Sequence, residues 1–372
     1  MPDDFDVRER LRSLTVAGTI LVRENGQIRC LACGHRCLIP EGREGVCRVR
    51  FVKDGVLHVP FGYVGTTQLD PIEKKPFFHV TPGARAFSFG MLGCDYHCPY
   101  CQNWETSQVL HDPDSAPYAR PQVITAEEIV LLAKLSCATM ITSTYNEPLI
   151  TSEWGIAVFR AAREAGLMTS YVSNGNGTPE VLDAIRPWVD AYKVDLKGMR
   201  ESAYQKLGGR LWVVLDTIRM LVERKIWLEV VTLVISGFND SEAELRDAAR
   251  FLAGVSRDIP WHVTAFHDDY KMTDRGATRE SALLRAAEIG REEGLRYVYA
   301  GNLPGAVGAW EDTRCSACGS TLVARRGYRI VSNRIGPGGE CPDCDAIVPG
   351  IWIPRRDMAP GGGPYELLEN AP

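Results

Sequence analysis

The sequence lacks a basic excess: 42 lysines and arginines against 47 aspartates and glutamates leave the 372-residue chain a formal charge of −5. Broad nucleic-acid binding, which needs cations to displace the counterions of phosphates, is therefore not expected. No run of 18 apolar residues occurs, so no membrane-spanning helix is expected either. The acidic start from Met1 to Asp6 has no apolar stretch behind it, which removes the signature of an export signal and points to the cytoplasm. A reducing compartment keeps thiols free. Twelve cysteines in such a chain point to metal rather than to disulfides.

Eleven of those cysteines fall in three groups: Cys30, Cys33, Cys37 and Cys47; Cys94, Cys98 and Cys101; and Cys315, Cys318, Cys341 and Cys344. Cys137 stands alone in an apolar stretch and reads as a small buried hydrophobe.

From about residue 86 to 300 short apolar runs alternate with amphipathic helical patterns. Strands are expected at Ala86–Leu92, Met140–Thr144, Met168–Ser173, Ala191–Asp195, Leu228–Ile235, Trp261–Phe266 and Tyr297–Ala300. Between them lie helices, one opened by Thr125 with Glu128 in a capping box and one by Thr178-Pro179. A long helical region is expected between Glu201 and Arg224. Six βα units imply a parallel sheet, because each helix is the crossover between parallel strands. They are too few for a closed eight-stranded barrel and suit a partial (β/α)6 TIM-like barrel, with a doubly wound sheet as the competing topology. The expected divisions are a cysteine-rich region at 1–84, the α/β core at 85–304, a metal-binding module at 305–356 and a flexible tail at 357–372. Each cysteine-rich flank is too small to hold a core alone.

Cys94, Cys98 and Cys101 follow the first expected core strand at spacings of four and three. A [4Fe–4S] cluster normally takes four cysteines, so three leave one iron with open positions. That suits catalysis rather than electron carriage, since such an iron can chelate the amino and carboxylate groups of S-adenosylmethionine (SAM). The alternative is a zinc site with His97 as fourth ligand, for which His97, adjoining Cys98, is cramped.

The Cys-x3-Cys-x2-Cys spacing, with Tyr100 before the last cysteine, resembles the signature of the radical SAM superfamily. Further segments extend the likeness: Asp70 to Pro76, Cys101 to Trp104, Thr144 to Pro148 and Tyr299 to Gly305. With both cysteine-rich ends, nearly the whole chain resembles the radical SAM proteins of the AmmeMemoRadiSam system, relatives of pyruvate formate-lyase activating enzymes. The resemblance implies SAM-binding roles for residues at strand ends. Asn146 and Glu147 would hold the SAM amino end. Ser173 and Asn174 resemble a Thr-Asn-Gly turn of glycyl-radical activases, and Asp195 and Lys197 their Asp-Leu-Lys, with Lys197 suited to the SAM carboxylate. His267 resembles a residue near the adenosyl group and is the candidate catalytic side chain. The family's Val-Pro-Gly is Ile235-Ser236-Gly237 here, so no ligand is assigned at that place.

Cys315-x2-Cys318 and Cys341-x2-Cys344 have the paired spacing of a zinc ribbon, which rubredoxin-like iron also uses. Cys30, Cys33, Cys37 and Cys47, with His35 as another available ligand, suit a structural metal or an auxiliary cluster, and the metal there is open. The expected activity is reductive SAM cleavage to a 5′-deoxyadenosyl radical, which takes hydrogen from a substrate that the residues do not name. A non-catalytic electron-transfer or docking protein is the alternative. The reading calls for a one-electron donor of flavodoxin or ferredoxin type. A protein substrate, such as a backbone glycine, and the AMMECR-like and Memo-like proteins of the same system are the partners that the resemblance suggests.

Overall fold

The structure, a computed structural model, describes residues 6–354. The expected tail at 357–372 lies outside the described residues. One eight-stranded sheet organises the centre of the chain. Its strands are β1 (Thr66–Pro71), β2 (Arg85–Gly90), β3 (Met140–Ser143), β4 (Met168–Ser173), β5 (Ala191–Asp195), β6 (Trp227–Val234), β7 (Trp261–Ala265) and β8 (Val298–Gly301). Strands β2 to β8 are parallel, and β1 runs antiparallel along β2. Order in space follows order in the chain without reversal, and β1 and β8 remain as separate edges. A doubly wound sheet would reverse its order at a switch point. The fold is therefore the partial barrel, and the competing topology is excluded.

The crossover helices are α1 (Ala126–Leu135), α2 (Ser152–Glu164), α3 (Pro179–Ile185), α4 (Glu201–Leu207), α5 (Leu211–Glu223), α6 (Glu242–Val255) and α7 (Glu280–Glu292). Thr125 and Glu128 form the expected reciprocal capping box on α1, and the Thr178 hydroxyl accepts the Val181 N–H at the start of α3. The long helical region expected between Glu201 and Arg224 consists of two helices. Gly208 caps α4 in the left-handed region at φ 87°, a conformation that glycine adopts without the Cβ clash, and the chain restarts as α5.

Cys137 is exposed rather than buried. It follows the end of α1 at φ 55°, donating its N–H to the Lys134 carbonyl, and this turn throws its side chain outward. Ala133 and Ala138 take the buried positions on either side.

The N-terminal ends of consecutive strands form a floor. Ala86, Met140, Met168, Ala191 and Trp227 pack there with Ile72, Phe77 and Ile351. Both flanks are fastened to the barrel. Arg50 forms a two-pronged ion pair with Glu153 of α2, at 2.7 and 2.8 Å, and donates to the Ile150 carbonyl at 3.0 Å. On the other side Phe78, Tyr297 and Tyr299 share a cluster with Cys315, Leu322, Cys341 and Val348. Beneath β6 and β7, the Glu229 carboxylate accepts the Phe78 and His79 N–H groups at 2.9 Å and pairs with His262 at 2.6 Å.

Candidate active site

Strand β2 ends at Gly90, where a Cβ would lie 2.5 Å from the Thr144 carbonyl oxygen, so only glycine lets the two strand ends approach. The cysteine loop leaves from this end. Cys98 is buried, while Cys94 and Cys101 are partly exposed. The Tyr96 N–H donates to the Cys94 sulfur at 3.5 Å, and the Ser107 hydroxyl lies 3.2 Å from the Cys101 sulfur. Burial pushes the Cys98 thiol up to about 12, an effect that nearby Lys197 opposes. Ligation removes such protons outright.

His97 does not join the three thiols. Its N–H bonds the Leu207 carbonyl and its ring lies against the Gly208 backbone, where a Cβ would meet Cε1 at 2.5 Å. Three soft thiol donors, with the His97 ring turned to Gly208, fit an iron–sulfur cluster with one open iron.

Directly under the loop lies an interlocked polar layer. The Glu147 carboxylate accepts from the Leu149 N–H at 3.0 Å, the Ser173 hydroxyl at 2.8 Å and the Asn174 N–H at 2.7 Å. Burial, then the Asp95 carboxylate, pushes its pKa up to about 8 against those donors. Asn146 accepts the Met91 N–H at 3.0 Å. Asp95 accepts side-chain N–H groups of Asn174 and Asn176 at 2.8 Å each. Asn146, Glu147, Ser173 and Asn174 are thus gathered beside the cysteine loop, but their polar atoms bond protein groups and they stand behind the cavity wall.

The cavity itself occupies the open barrel, with a volume of about 560 Å³. Cys98, Tyr100 and Cys101 stand at its upper end with Asp195, Lys197 and His267. Residues two apart on a strand share a face, so β5, β6 and β7 line it with Lys193 and Asp195, Val231 and Leu233, and His262 and Thr264. Its open side meets Lys74, Lys75 and Pro76 from the N-terminal flank and Tyr328 from the C-terminal one. The Tyr328 hydroxyl bonds Asn302 at 3.0 Å.

Asp195 sits between two ammonium groups, bonded to Lys193 and 3.5 Å from Lys197. Burial opposes its ionisation, but Lys193 and Lys197 outweigh burial and hold its carboxyl below the usual range. Lys197 is likewise held above its ordinary value despite burial, by Asp195 and Cys98. His267 is exposed at the rim, with its Nε2 2.9 Å from the Gln102 amide nitrogen.

A profile of the radical SAM superfamily matches residues 90–252, the stretch that carries the cysteine loop and strands β3 to β6. Protein MJ0808 of Methanocaldococcus jannaschii is 37% identical over 304 residues, 81% of this chain and 89% of that one. The chain belongs to the radical SAM superfamily. It is also 25% identical over 151 residues to the isethionate sulfite-lyase activating enzyme of Oleidesulfovibrio alaskensis, 39% of this chain and 48% of that enzyme. A radical SAM methyltransferase structure from Sphaerobacter thermophilus aligns over 86% of both chains at 15% identity and TM-score 0.47. Membership implies a [4Fe–4S] cluster and SAM, and the relatives include lyase-activating enzymes.

This radical SAM protein has a second kind of cysteine site at its C-terminal end. All four sulfurs of Cys315, Cys318, Cys341 and Cys344 lie within 4.8 Å of one another, with 3.6 Å between Cys315 and Cys344 and 3.7 Å between Cys318 and Cys341. Tetrahedral zinc with bonds of about 2.3 Å separates its sulfurs by roughly 3.8 Å, so the set fits one tetrathiolate ion. No helix among the described residues is long and apolar enough to cross a membrane.

Sequence reasoning missed Asp95, Lys193, Lys75 and Gln102. Asp95 and Gln102 adjoin cysteines of the loop, and Lys193 precedes Asp195 by two on one strand, so adjacency and the period of two were available signals. Lys75 lies in the segment Asp70 to Pro76 that carries the likeness, which was its signal. Its ammonium reaches Asp70 at 2.8 Å, five residues away, and the Tyr145 hydroxyl at 3.0 Å through the fold.

Proposed function

We propose that this protein binds SAM at a [4Fe–4S] cluster carried by Cys94, Cys98 and Cys101 and abstracts hydrogen from a substrate held in the barrel. The cluster, when bound and reduced, supplies the electron that splits the SAM C–S bond to give methionine and a 5′-deoxyadenosyl radical. The observation that carries this reading is the opening of the cysteine loop onto a cavity of about 560 Å³ beside the Lys193–Asp195–Lys197 set.

In this reading Lys197 faces the SAM carboxylate, with Asp195 keeping it protonated and aimed. Tyr100 lines the space beside SAM, and His267, exposed and bonded to Gln102, contacts the adenosyl end or the substrate. Asn146, Glu147, Ser173 and Asn174 act as a brace that fixes the cysteine loop. Lys74, Lys75 and Tyr328 narrow the open side of the barrel, which keeps water and stray donors from a radical.

Relationship to activating enzymes supports a protein glycine as one substrate class, and the AmmeMemoRadiSam likeness supports AMMECR-like and Memo-like partners. A flavodoxin or ferredoxin serves as electron donor. The test is anaerobic: the iron- and sulfide-reconstituted protein with SAM and dithionite yields 5′-deoxyadenosine, and Cys98→Ala abolishes it. A fully loaded wild type that yields none refutes the proposal.

A further inference from the structure

The N-terminal cysteines have no part in the site above, yet they are built into its back wall. Cys30, Cys33 and Cys47 are buried and Cys37 is half-buried. The Cys30 N–H bonds the Cys37 carbonyl at 2.9 Å, closing a turn that carries Cys33 at its tip, and Arg36 completes this turn at φ 46°. The Val46 N–H donates to the Cys37 sulfur at 3.5 Å, which brings the segment holding Cys47 against the same turn. These contacts fold the segments of Cys30, Cys33, Cys37 and Cys47 around one turn.

Their spacing differs from that of the C-terminal set. Among the described residues, the C-terminal quartet is the group whose ligand atoms close to within 4.8 Å of one another. The N-terminal thiols, which are all described, stand further apart than one tetrahedral ion requires. The catalytic triplet is spread in the same way. Thiolates spread wide suit a cubane, in which each sulfur binds a different iron.

The two sets share one continuous core. Cys33, Cys47 and Cys98 belong to a single hydrophobic cluster with Leu31, Leu92 and Tyr96. Gly93, just before Cys94, lies so close to the Cys47–Val49 turn that a Cβ would meet Val49 Cγ1 at 2.7 Å. His35 Nε2 is 3.1 Å from the Asp95 carbonyl oxygen, and the Gly34 N–H bonds the Asn176 carbonyl at 2.8 Å.

We propose that Cys30, Cys33, Cys37 and Cys47 hold a second, closed iron–sulfur cluster of the [4Fe–4S] class, placed to pass one electron to the catalytic cluster. The relay rests on the function proposed above; the identity of the metal does not. In the relay, a one-electron donor of the flavodoxin or ferredoxin class reduces the N-terminal cluster. That cluster is then reoxidised as the electron passes to the catalytic one, and no proton or bond changes hands. His35, bonded to Asp95, stays outside the ligand set.

The test uses the full chain with Cys94, Cys98 and Cys101 all changed to Ala, reconstituted anaerobically and assayed for iron, sulfide and zinc. About four iron and four sulfide per chain are expected to remain, with zinc confined to the C-terminal site. Iron absent from this variant, or a second zinc in its place, overturns the proposal whether or not the wild type cleaves SAM. For the relay, electron paramagnetic resonance of the reduced wild type is compared with that of the triple variant and of Cys30→Ser/Cys33→Ser. Two neighbouring paramagnets broaden each other, so the wild-type spectrum is expected to differ from the sum of the variants' spectra. A spectrum equal to that sum overturns the relay, and should the Cys30→Ser/Cys33→Ser variant not fold, the triple variant's metal content still decides the site.

Discussion

Glu153→Ala should destabilise the protein by about 3–5 kcal/mol, because it strands a charge in the interior. The Arg50 side chain is 2% exposed and that of Glu153 is 8% exposed, so neither is much screened by solvent. Burial raises the Glu153 carboxyl, but Arg50 outweighs it and the group is held below its usual value. Removing the carboxylate leaves the guanidinium with one partner, the Ile150 carbonyl, and takes an acceptor from the Thr19 and Ile20 N–H groups. Replacing both partners together, Arg50→Met with Glu153→Leu, removes the stranded charge and should cost far less than the single change. Anaerobic urea unfolding followed by tryptophan fluorescence is suited to the measurement, since Trp154 adjoins Glu153 and is 2% exposed against Phe61. A Glu153→Ala protein within about 1 kcal/mol of wild type, or a double variant worse than the single one, would refute the reasoning.

Lys197→Met should weaken SAM binding at least tenfold, by isothermal titration, while leaving cluster iron unchanged; loss of iron instead would mean that the residue only supports the fold. Asp95→Ala leaves two buried Asn side chains without an acceptor and should cost about 1–3 kcal/mol for each, read as a lowered melting temperature. His79, 2.6 Å from both the Tyr299 hydroxyl and the Pro349 carbonyl oxygen, has its pKa lowered to about 4, chiefly by burial. The unfolded chain binds this proton more readily than the folded one. Stability should therefore fall as pH drops from about 6.5 towards 4, by roughly 3 kcal/mol in all, and His79→Gln should flatten that part of the profile. Chelation under denaturant-free conditions should release one metal ion per chain from the Cys315 to Cys344 site; metal analysis that finds none there would contradict the tetrathiolate geometry.

The parallel strands were legible because each is a short apolar run between helical patterns, and the capping residues of α1 and α3 mark their starts by local chemistry. Strand β1 was not, since its pairing with β2 joins segments whose patterns do not announce each other. The break between α4 and α5 has a local mark in Gly208-Gly209, since glycine takes the left-handed turn that ends α4, but a helical pattern on both sides does not by itself place it. Cys137 looked buried from its apolar neighbours, whereas one positive φ decides which of three consecutive side chains faces out. At the site, cysteine spacing identified the loop. What spacing could not separate was the face of each polar residue: Asp195 and Lys197 meet the cavity, while Glu147 and Asn174 turn their side chains to Ser173 and Asp95.

The central claim is that the iron held by Cys94, Cys98 and Cys101 has positions open to SAM. The most direct measurement is electron paramagnetic resonance of the dithionite-reduced protein with and without SAM carrying 15N and 17O in its amino and carboxylate groups. The spectrum is expected to shift on addition of SAM, with hyperfine coupling to both labels, and the Cys98→Ala variant is expected to show neither. A wild-type signal that SAM leaves unchanged, from a protein with its full iron and sulfide, would contradict it.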